Sequence, residues 1–385
     1  MEKLYYLDNA ATTKAFDEEF DLMKKNNEEC FYNPSASYMV ARNAKKCLED
    51  SRKVIVDALH GKTGFLYFTS SATESNNTVF EGVHLRAGQV VLISAGEHPA
   101  VYNAAHRLEK KGVVIKDIPL AKNGQVDFEE FKKLMTKDVA LVSIMHVSNE
   151  TGAINDIKSL CSYAKSVNPQ VIFHSDGVQA FGKIPVNLIM LGVDLYSISA
   201  HKIYAVRGIA GLWVKKGVVV DSLLVGGGQE NDFRSSTENV AGAIAFAYAT
   251  KKVVADLNEN YQKLLAFKTE FLDKLQNSKI GQWLSVNSND ECVPHIVSIS
   301  FFNIKGEVLM NSLEQSGILI STGSACSSKK AGNRTLEAMG IEEKNVIGSV
   351  RVSFSPYAQY DFDYIADAFI KNVERFENNN LVNKG

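Results

Sequence analysis

The chain has 385 residues, 45% of them hydrophobic and 22% charged, with a net charge of −2. That is ordinary globular composition, and the near-neutral balance excludes a protein built to coat nucleic acid or an anionic membrane surface. No uncharged apolar run approaches the ~20 residues of a membrane span, and residues 1–8 lack the apolar core of a secretion signal, so a cytoplasmic protein is expected. The five cysteines, Cys30, Cys47, Cys161, Cys292 and Cys326, form no CxxC pair. They suit a reducing compartment and offer no metal-ligand spacing. At roughly 150 residues per domain, two or three domains are expected.

Residues 7–13, LDNAATT, form a polar segment too short to interpret alone. Residues 51–59 read as helix. Residues 65–77, FLYFTSSATESNN, read as strand, turn and helix. Hydroxyls and free backbone N–H groups at a helix start make an anion site, with Thr73 as a ligand; simple N-capping explains the same residues. Residues 90–94 form a strand ending at EHPAV, and residues 139–147 another, ending at SNETG. Helical stretches at 127–135 and 158–166 alternate with these strands, which predicts βαβ units and a mostly parallel sheet.

Two further apolar runs, 171–174 and 193–199, end in HSDGVQ and SISAHK. His98, Asn149, Asp176 and Lys202 therefore all fall at carboxyl ends of strands, where an α/β sheet gathers its active-site groups. Each alone is an ordinary structural polar residue; four at equivalent edges point to one site. Lysine is seldom buried unpaired, yet its amine can form a Schiff base with a carbonyl. Pyridoxal phosphate uses such a lysine together with an acidic partner for its ring nitrogen, and Lys202 with Asp176 fits that pair. A surface lysine and a capping aspartate fit the two residues equally well.

Residues 208–214 give another strand, followed by GGGQENDFRSST at 226–237. Its glycines allow close backbone approach, but no strand-to-helix GxGxxG is present and a dinucleotide site is not expected. A long helix over 241–276 leads to a second domain, with a strand at 296–301, a helix at 305–316 and the loop ISTGSACSS at 320–328. From Ser321 onwards that loop has no large apolar anchor and is expected to be mobile. The Asn-rich tail after residue 376 is expected to fray.

Taken together, LDNAATT, FTS-ATESNN, EHPAV, SNETG, HSDGVQ, SISAHK, GGGQE, GSACSS and VRVSFS resemble, in order, the motifs of the cysteine desulfurases. These are the NifS/IscS-like branch of the class V aminotransferases, and the likeness spans residues 7 to about 369. The resemblance implies an α/β chain of the fold type I class of pyridoxal-phosphate enzymes. It would have a large domain with a mainly parallel seven-stranded sheet (15–255) and a small α+β domain (1–14 and 256–385). It also implies a homodimer with pyridoxal 5'-phosphate at the interface, L-cysteine as substrate and L-alanine as product. Sulfur would pass to an acceptor protein of iron–sulfur cluster assembly or tRNA thiolation; GSACSS and VRVSFS resemble the tRNA-thiolation branch. No direct nucleic-acid or membrane contact is implied.

Position by position, Lys202 matches the Schiff-base lysine and Asp176 the partner of the pyridinium nitrogen. Gln179 and Asn149 match amides near the phenolic oxygen, and His98 the histidine stacked on the ring. Ala72 and Thr73 fall at the phosphate turn, with Ser199 and His201 as further phosphate ligands and Thr237 donated by the other subunit. Arg351, with Asn149 nearby, matches the arginine that grips the substrate carboxylate, a bidentate task suited to guanidinium. Cys326 matches the nucleophile that takes sulfur as a persulfide. It must act as thiolate, with His98 as the base for its proton. The other four cysteines read as small buried hydrophobes.

Several positions depart from the family pattern: Tyr38 for a histidine, Ser71 for a glycine, Ala205, Val206 and Arg207 before Gly208, and Asn231, Asp232 and Ser236 in the glycine-rich segment. They bear on loop geometry, rate and substrate fit. Selenocysteine lyase or another class V activity is the alternative enzyme reading, and a divergent, low-activity cofactor-binding homologue is the other.

Overall fold

In the computed structural model the described residues are 4–302, 304–322 and 333–382, with 377–382 as backbone only. The strands among them are β1 (Tyr5–Tyr6), β2 (Gly64–Thr69), β3 (Val90–Ser94), β4 (Val114–Ile118), β5 (Val139–Ser143) and β6 (Ile172–Asp176). The later ones are β7 (Leu195–Ser199), β8 (Ala210–Lys215), β9 (Leu284–Val286), β10 (Ile296–Phe301), β11 (Ile318–Leu319) and β12 (Ser349–Ser353). Four helices bear on the site: α1 (Asp17–Glu29), α2 (Met39–Ala58), α3 (Ala72–Gly82) and α4 (Pro99–Arg107).

The large sheet has seven strands in the order β2-β8-β7-β6-β5-β3-β4. All pairs from β7 to β4 are parallel, while β8 runs antiparallel to both β2 and β7. The runs VVLIS of β3 and LYSIS of β7 are buried at every residue, because helices cover both faces of a parallel sheet. Alternate side chains divide between the faces. Leu92, Val142, Phe173 and Ile198 pack with Leu48 and Ile55 of α2. Val91, Ile93, Leu141 and Leu212 pack with Val79 and Phe80 of α3 and Val101 of α4. β4 lies on one side of β3 and β5 on the other. The connections therefore diverge between β3 and β5, which opens a crevice at the carboxyl ends of the strands.

A second apolar cluster draws on both ends of the chain: Tyr5 and Leu7, then Leu264, Phe271, Phe301, Phe354 and Phe369. It backs the antiparallel sheet β12-β10-β9 and the parallel pair β1-β11. Asp8 forms a parallel bridge to Ser353 of β12, which brings the amino terminus to the edge of that sheet.

The elements differ from the sequence reading in places. The helix expected over 241–276 is two helices, Val240–Ala255 and Leu257–Gln276, meeting at Asp256. Aspartate competes for backbone groups and favours helix ends over interiors. The helix read at 51–59 begins a dozen residues earlier as α2, whose amino-terminal half is polar enough to hide its period. The final helix runs Phe362–Val382, so the Asn-rich stretch expected to fray carries the helix on.

One buried ion pair fixes the glycine-rich segment. Arg52 of α2 meets Glu230 in a fork, Nη1 to Oε2 at 2.7 Å and Nη2 to Oε1 at 2.9 Å, with both side chains at most 5% exposed. Glu230 also accepts from Phe68 N, and Arg52 donates to Leu66 O. The clamp holds Glu230, Asn231 and Asp232 at φ of 51°, 57° and 64°, a left-handed stretch that asparagine and aspartate tolerate better than other side chains. Glu230→Gln should cost about 2 kcal/mol, because the buried guanidinium loses a charged fork and keeps as counter-charge the half-exposed Glu49, 3.0 Å from its Nε. Calorimetry checks this; a variant that melts with wild type would contradict it.

Candidate active site

The expected residues converge. A cavity of about 340 Å³ at the crevice is lined by Ala72, Thr73, His98, Asn149, Asp176, Gln179, His201, Lys202 and Arg351. Its volume lies in the range of small-molecule sites. Ser199 lies just behind His201, at the end of β7. Thr237 is exposed and does not line the cavity of its own chain. Cys326 lies outside the described residues.

Each side chain is held by its element. Asp176 ends β6; its Oδ2 accepts from Asn76 Nδ2 of α3 at 2.8 Å and its Oδ1 from Val178 N at 3.0 Å. Each carboxylate oxygen keeps a lone pair for a further donor. Behind it, a Cβ on Gly177 would stand 2.0 Å from Cζ of Tyr196, so glycine is needed there for the close approach of that ring. Tyr196 in turn bonds His146 at 2.8 Å.

Lys202 follows β7 in a turn of 3-10 helix, and its Nζ donates to Ala10 O at 2.6 Å and Ala11 O at 2.7 Å. Ala10 O also accepts from Gln179 Nε2 at 2.8 Å, while Gln179 Oε1 accepts from Lys183 Nζ at 2.8 Å. These bonds set which end of the Gln179 amide is the donor.

His98 is the N-cap of α4, ahead of Pro99 at the first helical position. Its Nδ1 accepts from Ala100 N at 3.1 Å, so the neutral ring carries its proton on Nε2. Burial pushes its basicity down, and the charges of Lys202, Arg334 and Arg351 add to that against the pull of Asp176. With Nδ1 committed, the neutral ring presents its Nε2 proton as a donor.

Arg351 of β12 reaches the rim. Nη1 donates to Asn149 O at 2.8 Å and lies 3.3 Å from Glu150 Oε1, and Nη2 donates to Asp8 Oδ1 at 2.9 Å. Sequence reasoning missed Asp8, Asn76, Glu150 and Lys183. LDNAATT was the signal for the first, SATESNN for the second, SNETG for the third, and a lysine one helical turn after Gln179 for the last.

The departures from the family pattern have local explanations. Ser71 has an extended backbone (φ −163°) that needs no glycine, and its side chain caps α3 by accepting from Glu74 N. Glu74 is itself paired with Arg234 at 2.8 Å. Tyr204 takes φ 68° just before Ala205, and Val206 N donates to Glu19 Oε2 at 3.0 Å. Tyr38 precedes α2 as an exposed residue. Nothing in the structure explains Ser236.

The donor set fits pyridoxal phosphate. Ser199 Oγ is buried with no hydrogen-bond partner among the described residues, which calls for an acceptor such as a phosphate oxygen. The first turn of α3, at Ala72 and Thr73, directs backbone N–H groups to the same cavity. His201, pushed down to about 4 by burial and then by the Lys202 charge, stays neutral and bonds Thr12 Oγ1 through Nδ1. An amine, a carboxylate and an anion-binding turn around one cavity are the set that a pyridoxal-phosphate enzyme needs.

The chain belongs to the aminotransferase class-V family, whose model matches residues 5–361. It is 35% identical over 380 residues to a cysteine desulfurase IscS of Dictyoglomus turgidum, covering 97% of this chain and 96% of that protein. It is 37% identical over 356 residues to a NifS/IcsS protein homolog of Lactobacillus delbrueckii, covering 91% and 92%. Among solved structures, a NifS-like protein superposes with TM-score 0.88 at 31% identity over 97% of this chain and all of that one. A NifS-like protein from Rickettsia africae does so with TM-score 0.84 at 28% identity, again over 97% and 100%.

Glu19 of α1, which accepts from Val206 N, gives a test of the turn that follows Lys202. Burial pushes its carboxyl up to about 8. A carboxyl whose folded pKa is raised gives its stabilisation in full below the unfolded value and loses it as pH climbs towards the folded one. The melting temperature of Glu19→Gln, taken relative to wild type, should therefore rise between pH 5 and pH 8 and level off above. A difference that does not change with pH would contradict the assignment.

Proposed function

We propose that the chain is a pyridoxal-phosphate-dependent cysteine desulfurase that converts L-cysteine to L-alanine and stores the sulfur on Cys326 as a persulfide. The observation that carries this is the placing of Lys202, Asp176 and Arg351 around one cavity in a chain whose full-length relatives are named cysteine desulfurases. The departures add support against a divergent scaffold, since Ser71, Tyr204 to Val206 and Asn231 to Asp232 keep defined local geometry.

When bound, the cofactor supplies an electron sink for the substrate's α-carbon. The chain's residues do the rest. Ala72, Thr73, Ser199 and His201 hold its phosphate, with Thr237 reaching over from the other subunit of a homodimer; the exposure of Thr237 on its own chain suits that role. With the cofactor bound, Asp176 would pair with the ring nitrogen and hold its proton there. Gln179 and Asn149 would offer amides to the ring oxygen, and His98 would cover the ring. Lys202 Nζ holds the cofactor and moves the α-proton. Arg351 orients the substrate carboxylate, with Asn149 beside it. Cys326 as thiolate attacks the substrate sulfur. The S–S bond forms as the C–S bond breaks, the bonding pair stays on carbon, and that carbon takes a proton to become alanine. The sulfur then passes to an acceptor protein of iron–sulfur assembly or tRNA thiolation. Residues 1–14 and 256–385 form the unit that brings Arg351 and Cys326 to the cofactor unit at 15–255. A cytoplasmic setting fits the unpaired cysteines, and no helix among the described residues is long and apolar enough to cross a membrane.

Purified protein given L-cysteine and a thiol should release sulfide and alanine in equal amounts. Lys202→Ala should lose both the turnover and the yellow colour of the retained cofactor. Retained colour with full turnover would sink the reading. Arg351→Lys should raise KM for cysteine roughly tenfold to a hundredfold, the worth of a charged hydrogen bond. An unchanged KM would place the carboxylate elsewhere.

A further inference from the structure

Arg351 stands between two carboxylates that differ in kind. Glu150 is shut in: its Oε2 accepts from Asn333 at 2.9 Å and its Oε1 from Asn149 at 2.7 Å, and burial pushes its carboxyl upward. Asp8 is open: its side chain keeps 21% exposure and lines the cavity. Among the described residues its carboxylate accepts from Arg351 alone, at 2.9 Å.

The backbone fixes where Asp8 stands. Its bridge to Ser353 sets it beside β12, two residues from Arg351. Its own carbonyl accepts from Ala11 N at 3.0 Å and closes the turn whose Ala10 and Ala11 carbonyls hold Lys202 Nζ. A carboxylate thus guards the arginine in the cavity that also holds the reactive lysine.

Nη1 of Arg351 is engaged by Asn149 O and Glu150 Oε1, so a carboxylate that enters to use Nη2 competes with Asp8 Oδ1. Two carboxylates a few ångströms apart oppose one another. A simple carboxylic acid leaves Asp8 displaced, without a cation, beside a new anion. An α-amino acid carries its own remedy, because its ammonium sits on the carbon next to the carboxylate and gives Asp8 a new partner. We infer that Asp8 is a specificity-determining residue. It exchanges Arg351 for the ammonium of an incoming α-amino acid and so penalises carboxylates that lack the amine. This rests on the reading of Arg351 as the carboxylate site.

The test compares L-alanine with propionate, the same skeleton without the amine, by titration calorimetry on cofactor-loaded protein reduced with borohydride, so that the cofactor no longer takes up the amine, which then meets Asp8 as ammonium. In Asp8→Asn, binding of L-alanine should weaken about tenfold and binding of propionate should tighten about tenfold, the worth of one charged hydrogen bond in each case. Asp8→Ser should shift both ligands in the same directions, which guards against a folding defect in either variant. If Asp8→Asn and Asp8→Ser shift both ligands equally, or shift neither, the role given to Asp8 is overturned while Arg351 stands. In the same assay Arg351→Lys should weaken both ligands. If it weakens neither, the carboxylate binds elsewhere and both assignments fall.

Discussion

The site depends on the segment at residues 7–13. Its backbone and side chains stitch the two sheets together across the cavity. On one side, Asn9 Nδ2 donates to Ser353 O, Ala10 N to Ser353 Oγ, and Asp8 pairs with Arg351, all on β12. On the other, Thr13 N donates to His201 O, Tyr204 N donates to Thr13 Oγ1, and the carbonyls of Ala10 and Ala11 accept from Lys202. Gln179 joins the same carbonyl at Ala10. One turn of chain therefore sets the spacing between the lysine that meets the cofactor and the arginine assigned to the substrate. A polar segment so short has no core of its own, and its rigidity comes from these bonds.

Burial works on the charges around this stitch in one direction. It pushes His201 down to about 4 and His174 down to about 3, and it pushes Glu97 up to about 8. Glu97 keeps its proton next to His98, and its Oε1 accepts from Ser94 Oγ and Met145 N at 2.6 Å. A low-dielectric wall with few charges strengthens the attraction between those that remain. The pairing of Arg351 with Asp8 acts against that wall, which is why a single open carboxylate can weigh on what enters.

The sheet was legible in the sequence because its physics is local and repetitive. Val90–Ser94, Ile172–Asp176 and Leu195–Ser199 are apolar runs that end in small polar residues, and the chain delivered His98, Asp176 and Lys202 to one edge as those runs predict. The resemblance to a known family gave particular roles to Thr73, Asn149, Gln179, Ser199, His201, Thr237 and Arg351, which no periodicity supplies. Long-range partnership stayed hidden. Asp8 and Arg351 are 343 residues apart and Arg52 and Glu230 are 178 apart, and nothing in either local sequence announces its partner. The tautomer of His98 was hidden too, since it follows from one backbone N–H at Ala100. Cys326 lies outside the described residues, so its role rests on sequence alone.

The most direct measurement is mass spectrometry of the whole protein and its peptides after brief exposure to L-cysteine. The account predicts one added sulfur atom, carried by Cys326. Sulfur on Cys30, Cys47, Cys161 or Cys292 instead, or alanine formed with no sulfur on Cys326, would contradict it.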